Sequence, residues 1–319
     1  DEHLRATLMV HELFHRIQGP LGLPPTNGGD NAHLDEVDGR YYMQLEWRAL
    51  AKALEHDGAT RDSSVRDALR FRAERYRIYP KAAAEERALE MNEGLAEYTG
   101  VRVGNPTPAL RTKMALHDLA AHVSDQTFVR SFAYATGPAY GLLLDRYAPG
   151  WRRGLTPSAS LDSLLRRAVH AGATGNIELI AKRYGGDALR AAEVERDRKR
   201  QETLALNRRK FVDGATLTLE FRHMNVQFDP RTLQPLADAG TVYPTIHISD
   251  DWGILDAKNG ALMKPDWSAL VVVAPSSTEG SHVSGDGWTL ELKPGWKIVP
   301  DARSGDFTIS PPQPAESTH

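Results

Sequence analysis

Lys210-Phe-Val-Asp-Gly-Ala-Thr-Leu-Thr-Leu-Glu-Phe-Arg222 is where the chain changes character. A charged helical pattern over 187–210 runs into it, including Glu193-Val-Glu-Arg-Asp-Arg-Lys-Arg200. Acidic and basic residues interleave there, so the run reads as a solvated helix face rather than a nucleic-acid arm. Asp213-Gly214 interrupts the pattern. From Ala215 to Arg222 apolar residues alternate with polar ones at the period of a strand. Val242–Ile248, Ala269–Val273, Trp288–Leu292 and Phe307–Ile309 read as further short strands, punctuated by Gly, Pro, Asp and Ser. The spacing therefore predicts α and β structure in separate domains: a helical domain over 1–212 and a small β-sandwich-like domain over 213–310. Residues 311–319 are expected to form a disordered tail.

Upstream of the boundary, helical patterns cover 3–18, 35–56, 62–78, 81–99, 107–123, 159–171 and 175–184. Asp62-Ser63-Ser64 reads as a cap, and Gly137-Pro138 as the opening of a helix ending at Tyr147, since proline suits a first turn.

The 319 residues are 41% hydrophobic and 25% charged, with a net charge of −3, as in ordinary globular proteins. That balance does not favour nucleic acid or an anionic membrane as partner. The longest apolar run, Ala269 to Pro275, is too short to span a bilayer. The absence of cysteine excludes disulfides, thiolate metal sites and a thiol nucleophile, and leaves compartment and oligomeric state open. The start at Asp1, without Met, leads us to expect that an upstream segment has been removed.

His11-Glu12-Leu13-Phe14-His15 lies in the first helical pattern. Residues four apart share a helix face, so both imidazoles can reach one divalent cation, while Glu12 is turned aside and can reach a water there. The flanking Met9, Val10, Leu13, Phe14 and Ile17 predict a buried helix around the histidines. A catalytic zinc needs a third protein ligand and one open position. Gln18 and Leu21 stand where a metzincin would carry Gly and His, which excludes that class. Asn92-Glu93-Gly-Leu-Ala-Glu97-Tyr98 offers two carboxylates one turn apart. They read either as a solvated pair or as a ligand, Glu93, with Glu97 behind it.

Together these segments resemble the gluzincin zinc metallopeptidases, especially the aminopeptidase-N and glycyl-aminopeptidase-like families. The resemblance implies a mainly helical, thermolysin-like catalytic domain with one Zn2+ on His11, His15 and Glu93. It also implies Glu97 as a partner of His11, and hydrolysis of peptide bonds by a metal-activated water with Glu12 as general base. Tyr134-Ala-Thr-Gly137, followed by Ala139 and Leu142-Leu-Leu-Asp145, resembles the segment whose tyrosine stabilises the oxyanion in those enzymes. This implies Tyr134 as the donor. Pro138 departs from the pattern, and Tyr140 is an alternative. Residues 16–92, 77 in all, separate His15 from Glu93 and exceed the usual spacer; the excess is read as a helical insertion or lid over 35–78. The substrate-binding sheet that precedes the metal helix in those families has no counterpart in the ten residues before His11.

The expected partner is a peptide or protein substrate. Two other readings are a catalytically silent, peptidase-like binding protein with a structural metal site, and a metal-free helical scaffold. Trp47 is read as a core residue before a cleft residue. His117 and His122, five apart, are read as pointing to different faces.

Overall fold

The computed structural model describes residues 2–26, 29–170 and 175–312. A helical region over 2–213 is followed by a β-sheet domain over 216–310. Compact units divide at Asp197/Arg198, inside the last long helix, so the change from helix to strand near 212 falls within the second unit. Residues 313–319 of the expected disordered tail lie outside the described residues.

The helices are α1 (Glu2–Gln18), α2 (Val37–Glu55), α3 (Gly58–Ile78), α4 (Ala82–Leu89), α5 (Leu95–Gly104), α6 (Pro108–Ala121), α7 (Ser131–Tyr147), α8 (Leu161–Ala168), α9 (Ile177–Lys182) and α10 (Gly186–Arg208). Two starts differ from expectation. α3 begins at Gly58, and Asp62 accepts from Tyr147 on α7 instead of capping. α7 begins at Ser131, so Pro138 sits inside it, where it cannot donate to the Tyr134 carbonyl.

The α2–α3 pair is no peripheral lid. Leu45, Leu50, Val65, Leu69 and Phe71 are fully buried in one cluster with Phe132, Tyr140 and Leu144 of α7, and Trp47 packs there on Phe128. α3 also turns charge inward. Arg72 donates to Glu46 of α2 at 2.8 Å and grips Glu90 with two bonds of 2.8 and 2.6 Å. Arg75 holds Glu86 of α4 through two bonds of 2.7 Å. Glu193 is likewise not on a solvated face: buried, it accepts from Arg40 and Gln44.

α4 and α5 form one helical segment joined by a π-helical turn, Glu90–Gly94. Such inserted turns re-aim side chains and recur at functional sites. Glycines then set how closely its neighbours approach. A Cβ on Gly100 would lie 2.5 Å from the Thr7 carbonyl oxygen, and one on Gly137 would overlap the backbone of Gly94. α1 and α7 therefore press directly onto this segment. α1 is buried only through its Thr7, His11, Phe14 and Gln18 face. Met9, Leu13 and Ile17 are 67%, 62% and 51% exposed, against the expectation that they would bury the helix.

The β unit holds two sheets. Its strands are β1 (Thr216–Glu220), β2 (Asn225–Phe228), β3 (Gln234–Pro235), β4 (Thr241–Tyr243), β5 (Ile246–Asp250), β6 (Gly253–Ala257), β7 (Ala261–Met263), β8 (Ala269–Val273), β9 (His282–Gly285), β10 (Trp288–Leu292), β11 (Lys297–Pro300) and β12 (Phe307–Ser310). The orders are β11-β12-β1-β8-β7-β4-β3 and β2-β5-β6-β10-β9, antiparallel except for the β1–β12 pair. Leu217, Leu219, Leu270 and Val272 of the first sheet share one core with Ile248, Leu255, Trp288 and Leu290 of the second. This is sheet-on-sheet packing. Phe211 joins Val242, Leu262 and Val271 in a second cluster.

Candidate metal centre

The close contact of α1 with the π turn brings the two halves of the constellation together. His11 Nε2 and His15 Nε2 lie 3.1 Å apart, and each lies 3.5 Å from Glu93 Oε2. These are the residues whose ligand atoms cluster as a potential metal site.

The outer nitrogens are occupied. His11 Nδ1 donates to Glu97 Oε2 at 2.7 Å, and His15 Nδ1 donates to Gln18 Oε1 at 3.0 Å. Gln18 is oriented by its own Nε2, which donates to the Met91 carbonyl at 3.3 Å, so its oxygen is the acceptor toward His15. With both protons on Nδ1, the two Nε2 lone pairs and a carboxylate oxygen point at one another. Only a cation or a proton relieves that repulsion.

The protonation preferences agree. Burial pulls the His11 imidazole down, but hydrogen bonds and charge from Glu93 and Glu97 outweigh it and raise it to about 9. The bond to His11 dominates in lowering the Glu93 carboxyl to about 2, with Tyr134, His15 and Arg130 adding to the effect. Without a metal, a proton fills the gap between imidazole and carboxylate.

The donor set fits zinc. Ligands at ~2.0–2.2 Å in a tetrahedral array sit roughly 3.3–3.5 Å from one another, close to the observed triangle, and two imidazoles with one carboxylate leave a fourth position open. Each histidine also has the hydrogen-bonded partner on its far nitrogen that ligating imidazoles use.

Glu12 is solvent-exposed, turned one residue from His11 along α1. Tyr134 Oη donates to Glu93 Oε2 at 2.7 Å, and its ring stacks on His11 with centroids 5.7 Å apart. Burial, reinforced by that bond, pushes the phenol up to about 12. Tyr140 is not at the site: fully buried, it donates to Glu46 at 2.8 Å.

Two neighbours escaped the sequence reading. Gln18 has no motif to mark it, since its role needs Met91 brought in from another helix. Arg130 reaches Glu93 Oε1 at 3.4 Å. His122, bonded to Asp125 at 2.8 Å, lies with its ring centroid 6.3 Å from that of Tyr134, while His117 faces Asp118 instead. Among the described helices none is long and apolar enough to cross a membrane. No protein-family model, curated protein or solved structure matches this chain.

Proposed function

We propose that the helical unit is a zinc-dependent peptidase of gluzincin type, with a thermolysin-like catalytic arrangement. The observation that carries this is the convergence of His11, His15 and Glu93 within 3.5 Å, each imidazole backed by its own acceptor. Zinc on these three residues would supply Lewis-acid polarisation of a carbonyl and of the attacking water.

The remaining work belongs to the chain. Glu12 takes the proton from the attacking water and delivers it to the leaving amine. Its place beside, rather than on, the face of the imidazoles keeps it off the cation and free for proton transfer. Glu97 and Gln18 lock both rings with Nε2 forward. The raised Tyr134 phenol stays protonated through neutral pH, so on exchanging its bond to Glu93 it can donate toward the negative charge that develops on the carbonyl oxygen. A carboxylate general base has no use in a purely structural site, which favours a peptidase over a silent binder.

The test combines metal analysis with turnover. The purified chain should hold one zinc, and Glu93→Ala should lose it; unchanged zinc content would reject Glu93 as a ligand. Glu12→Gln should keep the metal and lower peptide hydrolysis by roughly 10²–10⁴-fold. Zinc bound without hydrolysis in the parent chain would leave the silent binder as the correct reading.

A further inference from the structure

A cavity of about 270 Å³ opens among α2, α3, α5, α6 and α7, apart from the histidines and Glu93. Arg61, Arg102, Arg111 and Arg146 line it, with Asp145 as the one carboxylate in its wall. In a chain whose net charge is −3, this is a marked local excess of positive charge.

The surrounding acids do not use up the donors. Asp145 accepts from Tyr98 Oη at 2.8 Å, Trp151 Nε1 at 3.0 Å, Arg102 Nε at 3.1 Å, and Arg152. Asp57, itself largely exposed, takes Arg61 Nη2 at 2.7 Å and Arg146 Nη2 at 2.9 Å. Asp62, the other acid close by, accepts from Tyr147. Arg111 binds the Asn105 and Pro106 carbonyls through Nε and Nη2. Both terminal nitrogens of Arg102 and Nη1 of Arg111 and Arg146 make no hydrogen bond among the described residues. Arg61 is only 8% exposed, and its Nη1 is buried with no hydrogen-bond partner. The cavity also meets the first turn of α6, where Pro108 and Arg111 stand at the positive end of a 14-residue helix.

Guanidinium groups that line one cavity repel one another unless an anion sits between them, and their planar forks match phosphate oxygens. The volume lies just under the roughly 300–1,000 Å³ usual for drug-sized ligands, which excludes bulky occupants. We propose that this cavity binds a small phosphate monoester or free phosphate, with the dianion between Arg102, Arg111 and Arg146.

Binding of inorganic phosphate, glycerol phosphate and a phosphoserine peptide to the full chain, by calorimetry at ionic strength matched with chloride, tests this. The two small ligands should bind, and affinity should fall roughly tenfold for each guanidinium removed in Arg111→Gln and Arg146→Gln. Both side chains are partly exposed, and melting curves check that each variant stays folded. No binding beyond the chloride control would overturn the proposal, as would equal affinity in the double variant. Binding lost in Glu93→Ala but kept in the arginine variants would place phosphate at the histidines and also overturn it. A phosphopeptide that binds more tightly than glycerol phosphate would overturn the assignment to a small ligand.

Discussion

Deep in the β unit lie Leu217, Leu219, Ile248, Trp252, Leu255, Leu270 and Val272, whereas the same depth in the helical unit is reached by Arg72, Arg75, Glu46 and Glu86. An apolar core is held by the removal of its surface from water, a force without direction. Buried ion pairs contribute little net stability, because desolvation offsets attraction, but they fix geometry. The candidate chemistry belongs to the unit that adds buried ion pairs to an apolar core of its own. Arg72 clamps Glu90 with two bonds while Thr136 of α7 donates to the same carboxylate at 2.6 Å, and Glu90 opens the π turn that carries Glu93. The ionic layer reads as a frame that sets the aim of a ligand.

The largest expected effect tests that frame. Arg72→Met leaves Glu46 and Glu90 without their shared partner, and should destabilise the helical unit by ~3–5 kcal/mol, the range for a broken buried pair. Calorimetry should show its transition lowered with that of the β unit unmoved; a loss below ~1 kcal/mol would break the contrast. Acid should single out the same unit. Burial pushes the Glu86 carboxyl up, but Arg75 and His33 outweigh this and hold it at about 2, below its ordinary 4.5. Its contribution is complete above pH 4.5 and fades as pH falls toward 2, so near-ultraviolet dichroism should report the helical unit loosening first.

A smaller effect is expected where the frame meets the site. A Cβ at Gly137 would overlap Gly94, so Gly137→Ala must push α7 off the π turn. The cost is roughly 1–3 kcal/mol, as for overpacking. Zinc affinity should fall with it, because the displaced backbone carries Glu93. Unaltered affinity in a destabilised variant would show that the turn aims the ligand without α7.

How much of this was legible follows from the range of the interactions. His11 and His15, and Glu93 and Glu97, pair within a helical turn, so spacing alone puts each pair on one face. Their meeting is tertiary, and only the resemblance pointed to it. α3 shows the limit: Gly-Ala-Thr-Arg-Asp-Ser-Ser-Val-Arg-Asp-Ala-Leu-Arg-Phe-Arg over 58–72 looks solvated, yet Arg61, Asp67 and Arg72 are buried. No local pattern announces that carboxylates on α2, α4 and the π turn await Arg72 and Arg75. α1 misleads in the opposite direction, since Met9, Leu13 and Ile17 promise burial and stand exposed. In the β unit, β8 and β10 have the expected bounds, while β2, β6, β9 and β11 do not stand out from the turn residues around them. The 242–248 pattern proved to be two strands, separated at Pro244-Thr245.

The smallest predicted effect has opposite signs in the two units. Asp118 of α6 is 8% exposed, its Oδ2 has no partner, and Oδ1 lies 3.4 Å from His117 Nδ1. Burial, with the negative charge of Glu97 adding, pushes this carboxyl up to about 8. Its folded pKa lies above the ordinary 3.8, so the folded state prefers the protonated acid, and stability declines as pH rises from 3.8 toward 8. Asp118→Asn removes that penalty and should stabilise the helical unit by ~1–2 kcal/mol at pH 7 and by nothing at pH 3.5. Asp250 of the β unit is as deeply buried, but it accepts from the backbone N–H groups of Arg222 at 3.0 Å and His223 at 3.1 Å. Asp250→Asn replaces one acceptor oxygen with a donor facing donors, and should cost ~1–3 kcal/mol at pH 7. Urea melts at the two pH values decide the matter. A gain from both substitutions, or a loss from both, would mean that the two units treat buried carboxylates alike.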